Sequence, residues 1–127
     1  MTEQELVEAK VSEMQEILDN EQAEMDKEAL IYMLQDKAGR WFLMRLFERC
    51  HMFSSTFPDE GNVNTMLVWE GERRVALTIM NNINLLGDVY AKLKQAAEEE
   101  YNSFQSRAAY LMQLAEQNEK GDSTNEF

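Results

Sequence analysis

One proline and five glycines are spread over 127 residues, and that scarcity is the first constraint on the fold. Sandwiches and barrels of short strands need frequent Gly- and Pro-rich turns, so helices are the economical reading. A single cysteine, Cys50, cannot close a disulfide within the chain. No charged segment followed by an apolar core opens the sequence, and the two observations together predict a reducing cytoplasm rather than secretion. No run approaches the roughly eighteen apolar residues that cross a bilayer, which predicts no membrane span. Basic residues are scarce as well: 12 Lys and Arg stand against 24 Asp and Glu, a net charge of −12. Phosphate backbones attract Lys and Arg and repel carboxylates, so direct nucleic-acid binding is not expected.

What is present is unevenly placed. Residues 1–36 carry eleven acids and two lysines, a charge of −9, whereas residues 37–53 carry four bases and Glu48, a charge of +3. Residues 54–97 sum to −1 and residues 98–127 to −5. Acidic ends of this kind steer a chain toward basic protein surfaces at rates that fall with salt. The length is that of one ordinary domain, enough for folding to bury about two thirds of the surface the unfolded chain exposes.

Helical periodicity runs through most of the chain. Thr2 and Glu5 form a T-x-x-E capping box that predicts the start of a first helix. Its apolar positions Val7, Val11, Met14, Leu18 and Met25 make a thin, heptad-like seam flanked by Glu and Gln. So thin a seam buries little by itself, and a solvated arm and an intersubunit helix are both compatible with it. A break is predicted near Asn20 or Asp36, with Asp36 placed as N-cap of a second helix. From Trp41 to Phe53 apolar side chains lie nearly all round, which predicts a helix buried on most sides as core, or one that adds a docking surface through its aromatics, Met and Arg. Pro58, Asp59 and Gly61 then mark a loop of about a dozen residues. A third helix begins near Asn62 or Asn64 and carries Met66, Val68, Trp69, Val75, Ile79, Ile83 and Leu86 at helical spacing. Gly71 inside it predicts the close approach of a backbone or a bulky ring. Gly87 and Asp88 read as stop and restart. A long last helix follows to about Asn118, with Tyr101, Phe104, Ala108, Leu111 and Ala115 in step, longer than a globule of this size needs, so that it either folds back on the first helix or projects and oligomerises.

The fold class is therefore all-α, a small helical bundle with long acidic N- and C-terminal helices. The organisation is a single domain over residues 1–120, with a core at 36–97, an acidic arm at 2–35 and a long helix at 88–118; residues 121–127 form a disordered tail unless Phe127 is gripped by a partner. Val7, Val11, Met14, Leu18, Phe104 and Leu111 are the candidate interface positions.

One block stands out from this acidic helical background. Gly39-Arg40 opens an aromatic helix holding Phe42, Cys50 stands near its end, Phe53 and Ser55 follow, and Glu70-Gly71-Glu72-Arg73-Arg74 lies at the next helix. The pattern resembles the small Bbp-type proteins encoded in head-assembly gene clusters of short-tailed bacteriophages. The resemblance covers about Asp36 to Glu100. It departs at His51, where the pattern expects glycine, and at Ala76, where it expects a second glycine after the arginines. The resemblance implies a virion or assembly role and no chemistry.

Other constellations are weaker. Glu48-x-x-His51 has the helical spacing of ferritin-like di-iron sites, but such sites need two motifs of this type and the chain has one histidine. Cys50 and His51 suggest a nucleophile and base, yet adjacent helical residues do not face each other, and Cys50 reads as a small buried hydrophobe. Three successive acids, Glu98 to Glu100, point in different directions on a helix and read as a solvated face. No catalytic residue, cofactor site or metal site is assigned, and the chain is not expected to be an enzyme. Glu70 and Arg74 are spaced for an i, i+4 pair, and Arg40 at a helix start calls for a carboxylate partner, for which Glu70 or Glu72 is the expectation.

The functional expectation is a non-enzymatic phage virion or head-assembly protein, portal-associated or internal to the head, present in the host cytoplasm during assembly and then in the virion. Its partners would be portal, capsid or internal virion proteins, or a second copy of itself. Two alternatives stand beside it: an acidic DNA mimic that inhibits a host enzyme, and a transient scaffold or assembly chaperone.

Overall fold

The computed structural model describes residues 1–56 and 62–125, with side chains through Lys120. The described chain forms four helices, α1 Glu3–Gln35, α2 Lys37–Arg49, α3 Val63–Asn84 and α4 Asp88–Asn125, and no strand. It is an all-α small bundle. The predicted loop residues Phe57, Pro58, Asp59 and Gly61 lie outside the described residues, as does Phe127.

Local chemistry accounts for the helix ends. The Thr2 hydroxyl accepts the Glu5 N–H at 3.1 Å while the Glu5 carboxylate accepts the Thr2 N–H at 3.1 Å, completing the capping box. Nothing interrupts α1 at Asn20, and the break falls at Asp36, which is extended (φ −101°, ψ 133°) and both ends α1 and precedes α2. The Asp36 side chain makes no capping bond, so backbone geometry alone reverses the chain there. Asn62 caps α3 by accepting the N–H groups of Asn64 and Thr65 at 3.0 and 3.3 Å. Gly87 turns the chain from α3 into α4 at φ +103°, a conformation that favours glycine. The backbone of α4 continues to Asn125, past the end near Asn118 that apolar periodicity predicts.

The second helix ends earlier than expected, at Arg49. There the His51 N–H bonds the Glu48 carbonyl at 3.1 Å and the Met52 N–H bonds the Phe47 carbonyl at 3.0 Å, the paired bonds of a Schellman motif. That motif needs a left-handed residue, and His51 supplies it at φ +63°.

The core is small and sits where all four helices meet. Leu34 of α1, Leu43, Met44 and Phe47 of α2, Ala76 and Ile83 of α3, and Ala97 and Tyr101 of α4 are buried, with Leu30, Met33, Ile79, Met80, Tyr90 and Leu93 packed around them. Two expectations are corrected here. The second helix is buried along one face only, since Trp41 and Phe42 are exposed. On α3 the inward face is Ala76, Ile79, Met80 and Ile83, while Val68 and Val75 face outward. With apolar residues on several faces of α3, spacing alone cannot choose among them.

Among the described residues no ring or backbone approaches Gly71: a Cβ built there meets nothing within 4 Å. Its only effect on stability is thus the helical cost of glycine, and Gly71→Ala is expected to stabilise the protein by about 0.5–1 kcal/mol. Denaturant titration checks this, and a lowered midpoint would contradict an open environment.

Candidate functional site

The glycine that does mediate a close approach is Gly39. A Cβ there would lie 2.3 Å from the Met33 carbonyl oxygen and 2.7 Å from the Met33 Cα, because the one-residue turn at Asp36 presses the start of α2 onto the end of α1. Arg40, next in sequence, fastens the same junction. Its Nη1 donates to the Leu34 carbonyl at 2.9 Å, and its Nε and Nη2 reach Glu100 Oε1 on α4 at 3.0 and 2.9 Å. The guanidinium thus sits at the carbonyl end of α1, where the helix dipole favours a cation, and it satisfies one of the carbonyls that a helix end leaves unpaired. The carboxylate that Arg40 calls for is Glu100, correcting the expectation of Glu70 or Glu72.

Those two acids serve the opposite end of α2. Glu72 accepts from His51 Nε2 at 3.0 Å, and the His51 ring stacks on Trp69 with centroids 4.6 Å apart and planes at 22°. Glu70 accepts from the Thr56 hydroxyl and lies 3.8 Å from Arg73, so the ion pair within α3 is i, i+3 to Arg73 rather than i, i+4 to Arg74. The Glu70-Gly71-Glu72-Arg73 segment is a clasp that holds the turn after α2 against the first turns of α3.

His51 is therefore a left-handed residue held by its side chain. A non-glycine residue in that conformation costs about 1–2 kcal/mol, and the stack and the half-exposed Glu72 contact return a similar amount. His51→Gly, which removes strain and contacts together, is expected to leave stability within about 1 kcal/mol of the parent. His51→Ala keeps the strain and loses the contacts, and is expected to fall about 1–2 kcal/mol below the glycine variant. Thermal melts of the two variants decide it; an alanine variant as stable as the glycine one would contradict the account.

The remaining motif residues are spread between core and surface. Cys50 is partly buried and packs on the core. Phe42 and Phe53 are exposed, and so is Arg74, whose carbonyl accepts the Thr78 hydroxyl. The di-iron spacing does not bring its residues together: Glu48 pairs with Arg45 at 2.7 Å, and His51, beyond the helix, turns to Glu72.

Beyond the core, two arms are left bare. Every residue from 1 to 29 of α1 is exposed, including the seam positions Val7, Val11, Met14 and Leu18. On α4 nearly every side chain from 102 to 120 is exposed, including Phe104 and Leu111. An aromatic strip joins the second arm to α2. Trp41 meets Tyr101 at 5.3 Å and Phe104 edge-on at 5.0 Å, and the Arg107 guanidinium lies 5.7 Å from the Phe104 ring centroid. Beside it Phe42, 56% exposed, shares a shallow cleft with Arg45 and Arg49. Exposed aromatics interleaved with arginine are the residues that carry energy in protein interfaces. Periodicity read α2 as buried on most sides; the docking surface that its aromatics, Met and Arg also suggested is the reading this exposed face fits.

The family model of the Bbp19-like phage proteins matches residues 32–97. The chain belongs to the Bbp19-like phage protein family. Comparison with curated proteins and with solved structures returns no match. The matched segment holds Gly39 and Arg40, the His51 turn, the Glu70 to Arg73 clasp and every buried core residue but Tyr101, while Glu100, the partner of Arg40, lies just beyond it. Both arms lie outside the match. No helix among the described residues is long and apolar enough to cross a membrane.

Proposed function

We propose that this phage protein is a structural component of the phage head, portal-associated or internal, and that it works by presenting helical faces to portal, capsid or internal virion proteins without catalysing a reaction. The observation that carries the reading is the bare α1 arm, in which residues 1–29 hold ten acids and two lysines around an exposed apolar seam, attached to a Bbp19-like core. An isolated amphipathic helix with that charge is suited to a basic protein surface and is repelled by packaged DNA. It would meet its partners in the host cytoplasm during assembly and stay with the particle.

Affinity capture with the full chain as bait in infected-cell lysate tests the reading. The expected captures are portal, capsid or internal virion proteins, with recovery falling as salt rises. Stoichiometric capture of a host nuclease or polymerase in their place would establish the DNA-mimic alternative and overturn the head-component reading.

A further inference from the structure

The two arms cannot cover each other within one chain. Ala23, Lys27 and Leu30 of α1 line a cleft with Asn82 and Leu86, next to where α4 begins. At the far side of the core, the Leu34 carbonyl and Glu100 share the Arg40 guanidinium. Helices α1 and α4 therefore cross the core in the same sense, and the α1 arm leaves by the end opposite to the α4 arm.

Yet the arms match. The α1 seam Val7-Val11-Met14-Leu18 and the α4 seam Phe104-Ala108-Leu111-Ala115 both step by four, three and four residues. The two alanines of the α4 seam leave room for the larger α1 side chains, as packing of facing helices requires. Val11 is 62% exposed and Leu111 53% exposed, so both seams are open. Charge selects the pairing. Residues 1–29 sum to −8, so two α1 arms repel each other, whereas residues 102–120 carry two bases and two acids and sum to zero. Length fits as well, since the α1 arm spans about 40 Å and residues 102–120 of the α4 arm about 28 Å at the helical rise.

We propose that the α1 arm is covered by the α4 arm of a second copy, in a closed two-fold dimer with two reciprocal, antiparallel arm pairs. A two-fold axis sets the second core beside the first in the opposite sense, which lays each α4 arm along the partner's α1 arm. Four contact strips of about 28 Å by 10 Å give on the order of 1,100 Å² of interface, above the roughly 1,000 Å² that a specific interface should clear. The acidic side of each α1 arm stays outward in this arrangement, available to a basic partner. The proposal rests on the reading of the arms as contact surfaces and not on which virion protein they meet. A dimer missing from particles would count against the head role alone, and a monomer that still captures head proteins would count against the dimer alone.

The test is the solution mass of the full chain by light scattering at tens of micromolar, for the parent and three variants. Val11→Asp and Leu111→Asp change one seam each, and Leu67→Asp changes a 61% exposed leucine of α3 outside the arms as control. The expected results are twice the 14.8 kDa chain mass for the parent and the control, and half that value for either seam variant. A monomeric parent, or a dimer that survives both seam changes, would overturn the proposal. Dissociation by Val11→Asp alone would show pairing between α1 arms, and a ladder of rising masses would show open head-to-tail assembly; either result also overturns the closed dimer.

Discussion

Gly39→Ala is expected to destabilise the protein by about 3 kcal/mol, at the upper end of what overpacking costs, and to lower its melting temperature by about 10 °C, at roughly 4 °C per kcal/mol for a chain of this length. The added methyl carbon would stand 2.3 Å from the Met33 carbonyl oxygen and 2.9 Å from its carbonyl carbon. Those atoms are backbone, so no side-chain rotation relieves the clash, and α1 and α2 must move apart at Asp36. Separation there also strains Arg40, whose bonds to Leu34 and Glu100 depend on the same junction. Shortening the neighbouring side chain by Met33→Ala should fail to rescue the variant. Chemical denaturation of the single and double variants checks both points. A Gly39→Ala protein within about 0.5 kcal/mol of the parent, the range of an ordinary surface change, would show that the approach of the two helices is not required.

Phe47→Ala is expected to cost about 4 kcal/mol. Phe47 is 2% exposed and is among the three largest fully buried side chains, in a core whose other buried members are few and mostly smaller. Its neighbours come from separate helices, so they cannot collapse into the space without shifting the bundle. A loss of that size is a large fraction of the 5–15 kcal/mol that holds a typical domain folded. Phe42 provides the contrast. Lying 56% exposed on the same helix, it should cost about 1 kcal/mol or less when changed to alanine. Equal losses at the two positions would mean that the inward face of α2 is misassigned.

Much of the fold was legible in short-range chemistry. Thr2 with Glu5, Asn62 and Gly87 each mark a helix end through groups a few residues apart, and those ends fall where the residues stand, whereas Asp36 stands at the break between α1 and α2 without its side chain capping a helix. Contacts between helices were less legible. Arg40 and Glu100 are 60 residues apart, and nothing in the periodicity of either helix says that they meet. Gly71 and Gly39 look alike as glycines inside helices, and only the tertiary arrangement shows which one faces a backbone. The left-handed residue at position 51 did carry a signal, because the family pattern places glycine there and this chain places a histidine with a side chain to anchor. The apolar seams of the arms were visible as repeats. Whether they are covered stayed open between a solvated arm and a partnered one, because a repeat states which residues share a face and not whether anything covers it.

The central claim is that this Bbp19-like protein belongs to the particle and acts there by contact. Mass spectrometry of purified mature virions, set beside empty precursor heads from the same infection, tests it most directly. The account predicts peptides of this chain in both samples, in constant ratio to the portal protein. Peptides found in precursor heads and missing from mature virions would establish a transient scaffold instead, and absence from both would contradict a head role altogether.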